Sequence, residues 1–387
     1  MSHSNGQAGS LALALAFAIA VLVYAVALLR VESQLGVMLM LVAGAGAVLA
    51  AARTGIMTRI EQGLASYSIS PSMLVLVGAA LTSAYFYDDH FVLLMVGTVV
   101  LYIVAALGIN VQFGYSGVLN FAGAAFFGVG CYTAAVLSVH TPIPHVLILL
   151  AGGGVAALIG ALLIVPVLRT RGHYSAVITI AFTILFSTFL EVNDVLGGPQ
   201  GLAVDSFQIL GWDFNSGVTI GGFETSFYLN YVIAGLVLLA IVFTLVRRLE
   251  RSWIGLNWDA VRLDETAAAC FGLSITRWKV TAFTVGNFLA GMAGALYAMM
   301  IGFIAPQNFT FGDSLILVSI VLLGGIGNAW GVVLATVIII VVPEKLQAIQ
   351  EYRFLLFSAM VILVLLFRPT GLLPRPTRVY FPGWRPS

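Results

Sequence analysis

Long apolar runs broken by short polar stretches recur along nearly the whole chain. They cover residues 11–29, 35–52, 72–86, 92–111, 117–138, 145–168, 173–191, 228–248, 279–303, 314–342 and 354–367. Most hold roughly the 20 residues that a helix needs to cross a bilayer core. The run 314–342 does not fit: as one helix it would span roughly 43 Å, too long for one crossing and too short for two. Gly324-Gly325-Ile326-Gly327-Asn328-Ala329-Trp330-Gly331 interrupts it midway, which predicts two short helices meeting at a hairpin. A second break is expected near 114–127, where Gly and Ala crowd together. The pattern predicts an all-α, polytopic integral membrane protein with two N-terminal helices and a core of about ten. Residues 1–10 are polar and read as a disordered tail. Residues 11–71 read as a two-helix extension, 72–373 as the core and 374–387 as a C-terminal tail. The tail 1–10 carries no Lys or Arg, so 11–29 reads as a first span rather than a cleaved leader.

The charges between the runs set an orientation. Arg53 and Arg59, then Arg169 and Arg171, belong on the cytoplasmic side, as does the segment 247–279, which holds six of the seventeen Lys and Arg residues. The turn Tyr87-Asp88-Asp89-His90, the turn at Pro142 and Pro144, and the loop 192–227 contain no Lys or Arg and belong outside. Alternation of the spans agrees with every one of these assignments. With the 314–342 hairpin, it also puts Arg368, Arg375, Arg378 and Arg385 inside.

Composition narrows the function. At 60% hydrophobic and 9% charged residues, the chain lacks the charge to cover a water-facing surface. A net charge of +1 predicts no nucleic-acid partner; the medium is the lipid bilayer. Cys131 and Cys270 are too few for a disulfide framework. Charged residues stand only at the ends of the apolar runs, as Glu191, Asp313 and Arg247 do, and none falls inside one, which argues against a proton-coupled carrier; a sodium-coupled secondary carrier is weakened but stays open. The lysines Lys279 and Lys345 follow Trp278 and Glu344, so there is no P-loop Gly-Lys. The five histidines show no metal-ligand spacing. The expectation is a transport protein without catalytic residues, cofactor or metal, whose work is supplied from outside.

Two stretches carry candidate function. Residues 114–133, GYSGVLNFAGAAFFGVGCYT, read either as a small-residue helix seam or as a broken helix lining a substrate path. Tyr115, Ser116, Asn120, Gly123, Phe126 and Phe127 are its candidate pathway residues, joined by Tyr174 and Thr179 at the start of a later span. Residues 247–279 contain a short helix with punctuation at both ends. Asp264 suits its N-cap, Glu265 its first turn and Gly272 the left-handed position after its last turn. The stretch is either an ordinary charged loop or a docking element, with Ala267, Ala268 and Ala269 as a narrow contact surface and Arg262 and Glu265 as end anchors.

Six motifs in order resemble the M-type permease of the branched-chain amino acid ABC importers. They are Gly114-Tyr115-x-Gly117 continued by Ala124-Ala125-Phe126-Phe127-Gly128; Arg169-x-Arg171-Gly172-x-Tyr174; and Gly197-Gly198-Pro199-Gln200-Gly201-Leu202. The others are the 255–272 loop; Ala290-Gly291-Met292-Ala293-Gly294-Ala295-Leu296-Tyr297; and the Gly-Gly hairpin with Phe367-Arg368-Pro369-Thr370-Gly371-Leu372. Leu256 and Asp259 stand where that family usually has basic residues, and Ala122-Gly123 where it has Gly-His. The resemblance spans roughly 90–373 and implies a heterodimer with a sister permease, two cytoplasmic ATPases and an extracytoplasmic solute-binding protein. It further implies uptake of leucine, isoleucine or valine across a bacterial inner membrane, with the helix at 264–271 coupling ATP use to alternating access. A urea or short-chain amide permease of the same family is the alternative substrate reading.

Overall fold

The computed structural model describes residues 19–53, 71–170 and 174–346 apart from 32, 210, 218, 221 and 222. It also describes 352, 355, 358–359, 362, 366, 371–373 and 375. The expected tail 1–10, Arg59, the Arg171–His173 motif and most of the run 354–367 lie outside these residues. In chain order the helices are α1 Ile19–Arg30, α2 Gln34–Arg53, α3 Pro71–Tyr85, α4 His90–Asn110, α5 Gly123–His140, α6 His145–Arg169 and α7 Tyr174–Val192. They continue with α8 Tyr228–Arg251, α9 Trp253–Leu263, α10 Glu265–Cys270, α11 Ile275–Ile301, α12 Phe311–Gly324 and α13 Ala329–Lys345. Among the described residues, seven helices are long and apolar enough to cross a membrane. The apolar runs become helices because only intrasegment hydrogen bonds satisfy the backbone where water is absent. The hairpin expected in 314–342 is present as α12 and α13, parted by residues 325–328.

The chain forms two compact units, one of 97–216, 237–340 and 352–387, the other of 1–96, 217–236 and 341–351. In the first, α11 is the helix the others pack around, because its glycines remove the side chains that would hold them off. Gly291 lies against Gly130 and Gly152, Gly294 against the carbonyl of Phe127, and Gly286 against Gly108. Cys131 Sγ donates to Gly294 O at 3.1 Å along the same seam. A Cβ at Gly291 or Gly294 would drive into a neighbouring backbone, so close contact of this kind depends on the small residue. The small-residue reading of 114–133 therefore holds for the body of α5.

The long loop 192–227 contains short antiparallel ribbons that the apolar pattern did not predict. Leu202–Ala203 pairs with Phe303–Ile304, Gln208–Ile209 with Trp212–Asp213, and Thr219–Ile220 with Phe223–Glu224. The Gly-Gly-Pro-Gln-Gly motif forms the 3₁₀ turn Gly198–Gln200, directly after another at Asp194–Leu196, with Gly197 and Gly201 at positive φ. Gln307 Nε2 donates to Pro199 O at 3.3 Å, which holds this turn to the segment following α11.

In the other unit, Tyr24 OH donates to Met40 O at 2.8 Å and ties α1 to α2. The Arg30 guanidinium lies 5.1 Å from the Tyr85 ring centroid. Arg30, Tyr85, Phe86, Asp88 and Asp89 line a cleft of about 480 Å³. Ser226 N–H donates to Tyr87 O at 2.8 Å, so the end of the lysine-free loop meets the lysine-free turn expected on the same side.

Candidate functional site

The site is built where α4 ends and α5 has not yet begun. The α-helix of α4 gives way to a π turn at Val111–Tyr115, and residues 117–122 are not helical. Gly117 adopts φ +74°, a left-handed turn natural to glycine. An interruption at this depth leaves backbone groups that must find partners. Gln112 O accepts from Val118 N–H at 3.0 Å and from Ser116 Oγ at 2.7 Å. Phe121 N–H donates to Thr179 Oγ1 at 3.0 Å, and Thr183 Oγ1 donates to Phe121 O at 3.2 Å. Ala122 N–H donates to Asn120 Oδ1 at 2.8 Å and Ala124 N–H to Ser314 Oγ at 3.1 Å. Side chains from the break itself, α7 and α12 thus cap the start of α5.

At the centre stand three carboxamides from three elements. Gln112 is on the π turn, Asn120 in the break and Asn287 on α11, and all are buried. Gln112 Nε2 donates to Asn287 Oδ1 at 2.7 Å and to Phe283 O at 3.1 Å. Asn120 Nδ2 donates to Gln112 Oε1 at 2.7 Å and reaches Asn287 Oδ1 at 3.2 Å. Asn287 Nδ2 is buried without a hydrogen-bond partner. Such a donor is worth roughly 1–3 kcal/mol to any conformation that satisfies it. The cluster is uncharged, offers donors and acceptors together, and sits among aromatic rings. Phe126 stacks on Phe182 at 5.3 Å and meets Phe283 edge-on at 5.9 Å. This arrangement suits a small molecule with polar ends and an apolar body.

The arm between α8 and α11 forms next to the break. Ser252 caps α9 by accepting from Ile254 N–H at 3.2 Å. Asp264 caps α10 by accepting from Thr266 N–H at 2.8 Å and Ala267 N–H at 3.0 Å, and Gly272 takes φ +80° after its end. The punctuation is as the sequence indicated, but α9 in front of it was not foreseen. Trp258 on α9 is buried, and its Nε1 donates to Trp278 O at 3.0 Å. A Cβ on Gly117 would lie 3.2 Å from Arg262 Cγ, so the arm packs directly on the break.

The predicted residues divide. Tyr115, Ser116, Asn120, Gly123, Phe126, Phe127 and Thr179 gather at the break or the start of α5. Gly123 abuts Ile109 and Leu317, and Phe127 packs on Tyr102 and Tyr297 at 5.7 and 5.2 Å. Tyr174, at 73% exposure on the first turn of α7, does not join them. Glu265 pairs with Lys279 Nζ at 2.6 Å within the chain. Ala268 is turned into its own chain at 3% exposure; outward α10 offers Glu265, Thr266, Ala267, Ala269 and Cys270, with Phe271 exposed just after its end. Phe271 and Leu263 stand at the surface, at 87% and 77% exposure, where the side chain of Ala268 does not. Gln112, Asn287 and Ser314 were missed, as was Asn110, whose Oδ1 accepts from Gly327 N–H at 2.9 Å; a neutral amide or hydroxyl inside or at the end of an apolar run was the available signal.

The family described as "Branched-chain amino acid transport system / permease component" matches residues 91–366. The chain belongs to that family. It is 36% identical over 288 residues to the high-affinity branched-chain amino acid transport system permease protein LivM of Salmonella typhimurium, covering 71% of this chain and 68% of that one. LivM of Escherichia coli K12 is 35% identical over 288 residues. LivH of Salmonella typhimurium, a high-affinity branched-chain amino acid transport system permease protein, is 25% identical over 298 residues, which cover 92% of it. No solved structure matches the chain. The break, the three amides and the arm all lie within the matched region. The chain is a multi-pass membrane permease and not itself an enzyme.

Proposed function

We propose that this chain is a permease subunit of an ATP-driven importer for branched-chain amino acids in a bacterial cytoplasmic membrane. It pairs with a sister permease, is driven by two cytoplasmic ATPases and is loaded by an extracytoplasmic binding protein. The observation that carries the reading is the neutral amide cluster at a broken helix, packed against an arm that offers exposed apolar residues to a partner. Leucine, isoleucine and valine have polar ends and apolar bodies, matching the mixed lining of the break. The arm receives the movement of the ATPases through α10 and passes it to the break.

The test is reconstitution of the chain with its sister permease, ATPases and binding protein in proteoliposomes, followed by uptake of labelled leucine. ATP-dependent uptake competed by isoleucine and valine supports the proposal. Competition by urea or acetamide instead assigns the amide substrate, and uptake driven by a sodium gradient without ATP rejects the importer altogether.

A further inference from the structure

Residues 371–373 and Arg375 join the α12–α13 hairpin to the arm. Leu372 N–H donates to Leu323 O at 2.8 Å and Leu373 N–H to Gly324 O at 3.0 Å, filling acceptors that the end of α12 leaves open. Asn328 Nδ2 returns a bond to Leu373 O at 3.2 Å. The strap so formed carries Arg375 to the arm. Its Nη1 lies 2.6 Å from Asp259 Oδ1, and its Nη2 donates to Asp259 Oδ2 at 3.1 Å. Both side chains are 13% exposed. The guanidinium also lies 5.0 Å from the centroid of Tyr115, and its Cδ fills the space beside Gly327, where a Cβ would come within 2.8 Å. Gly327 N–H in turn donates to Asn110 Oδ1 at 2.9 Å. One side chain therefore touches α9, the π turn and the α12–α13 hairpin.

We propose that Arg375 is a positioning residue for transport, fastening the arm to the broken helix and the hairpin so that the three move together. The proposal rests on the importer reading above. A stack of rings can slide, but the guanidinium fork on the Asp259 carboxylate, an ion pair with a hydrogen bond from Nη2 to Oδ2, restrains distance and direction, so displacement of α9 reaches the hairpin. In a buried pair, removing either partner strands the other, and the two single losses should behave alike.

The experiment uses the reconstituted complex with Arg375→Gln, Asp259→Asn, Arg375→Lys and the exchange Asp259→Arg with Arg375→Asp. In the two neutral variants, basal ATPase activity is expected to persist, while stimulation by the loaded binding protein and uptake per ATP fall about tenfold or more. Arg375→Lys should recover part of both, since it keeps charge and loses the fork, and the exchange should recover more than either of its halves. Arg375→Gln with wild-type stimulation and uptake per ATP overturns the proposal. So does a loss of basal and stimulated activity in proportion to complex abundance, which marks a purely structural strap. A wild-type complex that imports urea in place of leucine corrects only the substrate reading, because the stimulation ratio still judges the ion pair.

Discussion

The rings of Trp258 and Tyr115 lie face to face, 7° from parallel with centroids 6.4 Å apart. Trp258 belongs to the arm and Tyr115 is the last residue of the π turn, so this stack joins the arm to the interrupted helix. Both residues are 1% exposed. Movement of α9 must displace Tyr115 or break the stack. Such an aromatic pair contributes about 0.5–1.5 kcal/mol beyond its buried area. A double-mutant cycle of Trp258→Leu and Tyr115→Leu, read as stimulated ATPase activity, should show a coupling energy in that range. Strict additivity would mean that the arm acts through other contacts.

The amide cluster makes a different prediction. Asn120→Leu strands Gln112 Oε1, and Asn287→Leu strands Gln112 Nε2 in part, each at roughly 1–3 kcal/mol. A thermal-unfolding scan of the detergent-solubilised complex should register that loss. Uptake should fall further than stability does, because on the proposed reading the same groups line the path. Wild-type uptake in both variants would remove the cluster from the pathway.

The arm's surface can be tested by comparing inward and outward residues. Ala268→Trp overpacks the chain's own interior and should cost about 1–3 kcal/mol of permease stability. Phe271→Ala removes a side chain that is 87% exposed in the isolated permease, so its stability should be unchanged. ATPase co-purification should drop with Phe271→Ala. Full retention of the ATPase would place the docking surface elsewhere.

Orientation follows from the lysine and arginine asymmetry. Gln208 and Ser274 are both exposed, the first in the long loop and the second at the start of α11. In a background with Cys131→Ala and Cys270→Ser, Gln208→Cys should react with an impermeant thiol reagent added outside intact cells. Ser274→Cys should react only in inverted vesicles. Labelling of both from one side would overturn the assigned topology.

The features that the sequence by itself determined are local or periodic. An apolar run long enough to cross a bilayer becomes a helix regardless of its neighbours, because its backbone has no water to turn to. Asp264 capping α10 and Gly272 ending it are decided within one turn of chain, as is the interruption of 314–342 by glycines. Tertiary structure alone decided what meets across distance. Gln112 and Asn287 stand 175 positions apart and Asp259 and Arg375 116 apart, and no local pattern connects such pairs. Ala267 and Ala268 look alike in sequence, yet the packing of α10 on its own chain turns one outward and the other in. The reason is the same in each case: secondary structure answers to short-range sterics and solvation, whereas a hydrogen-bond partner or a buried face is chosen only when helices close on one another.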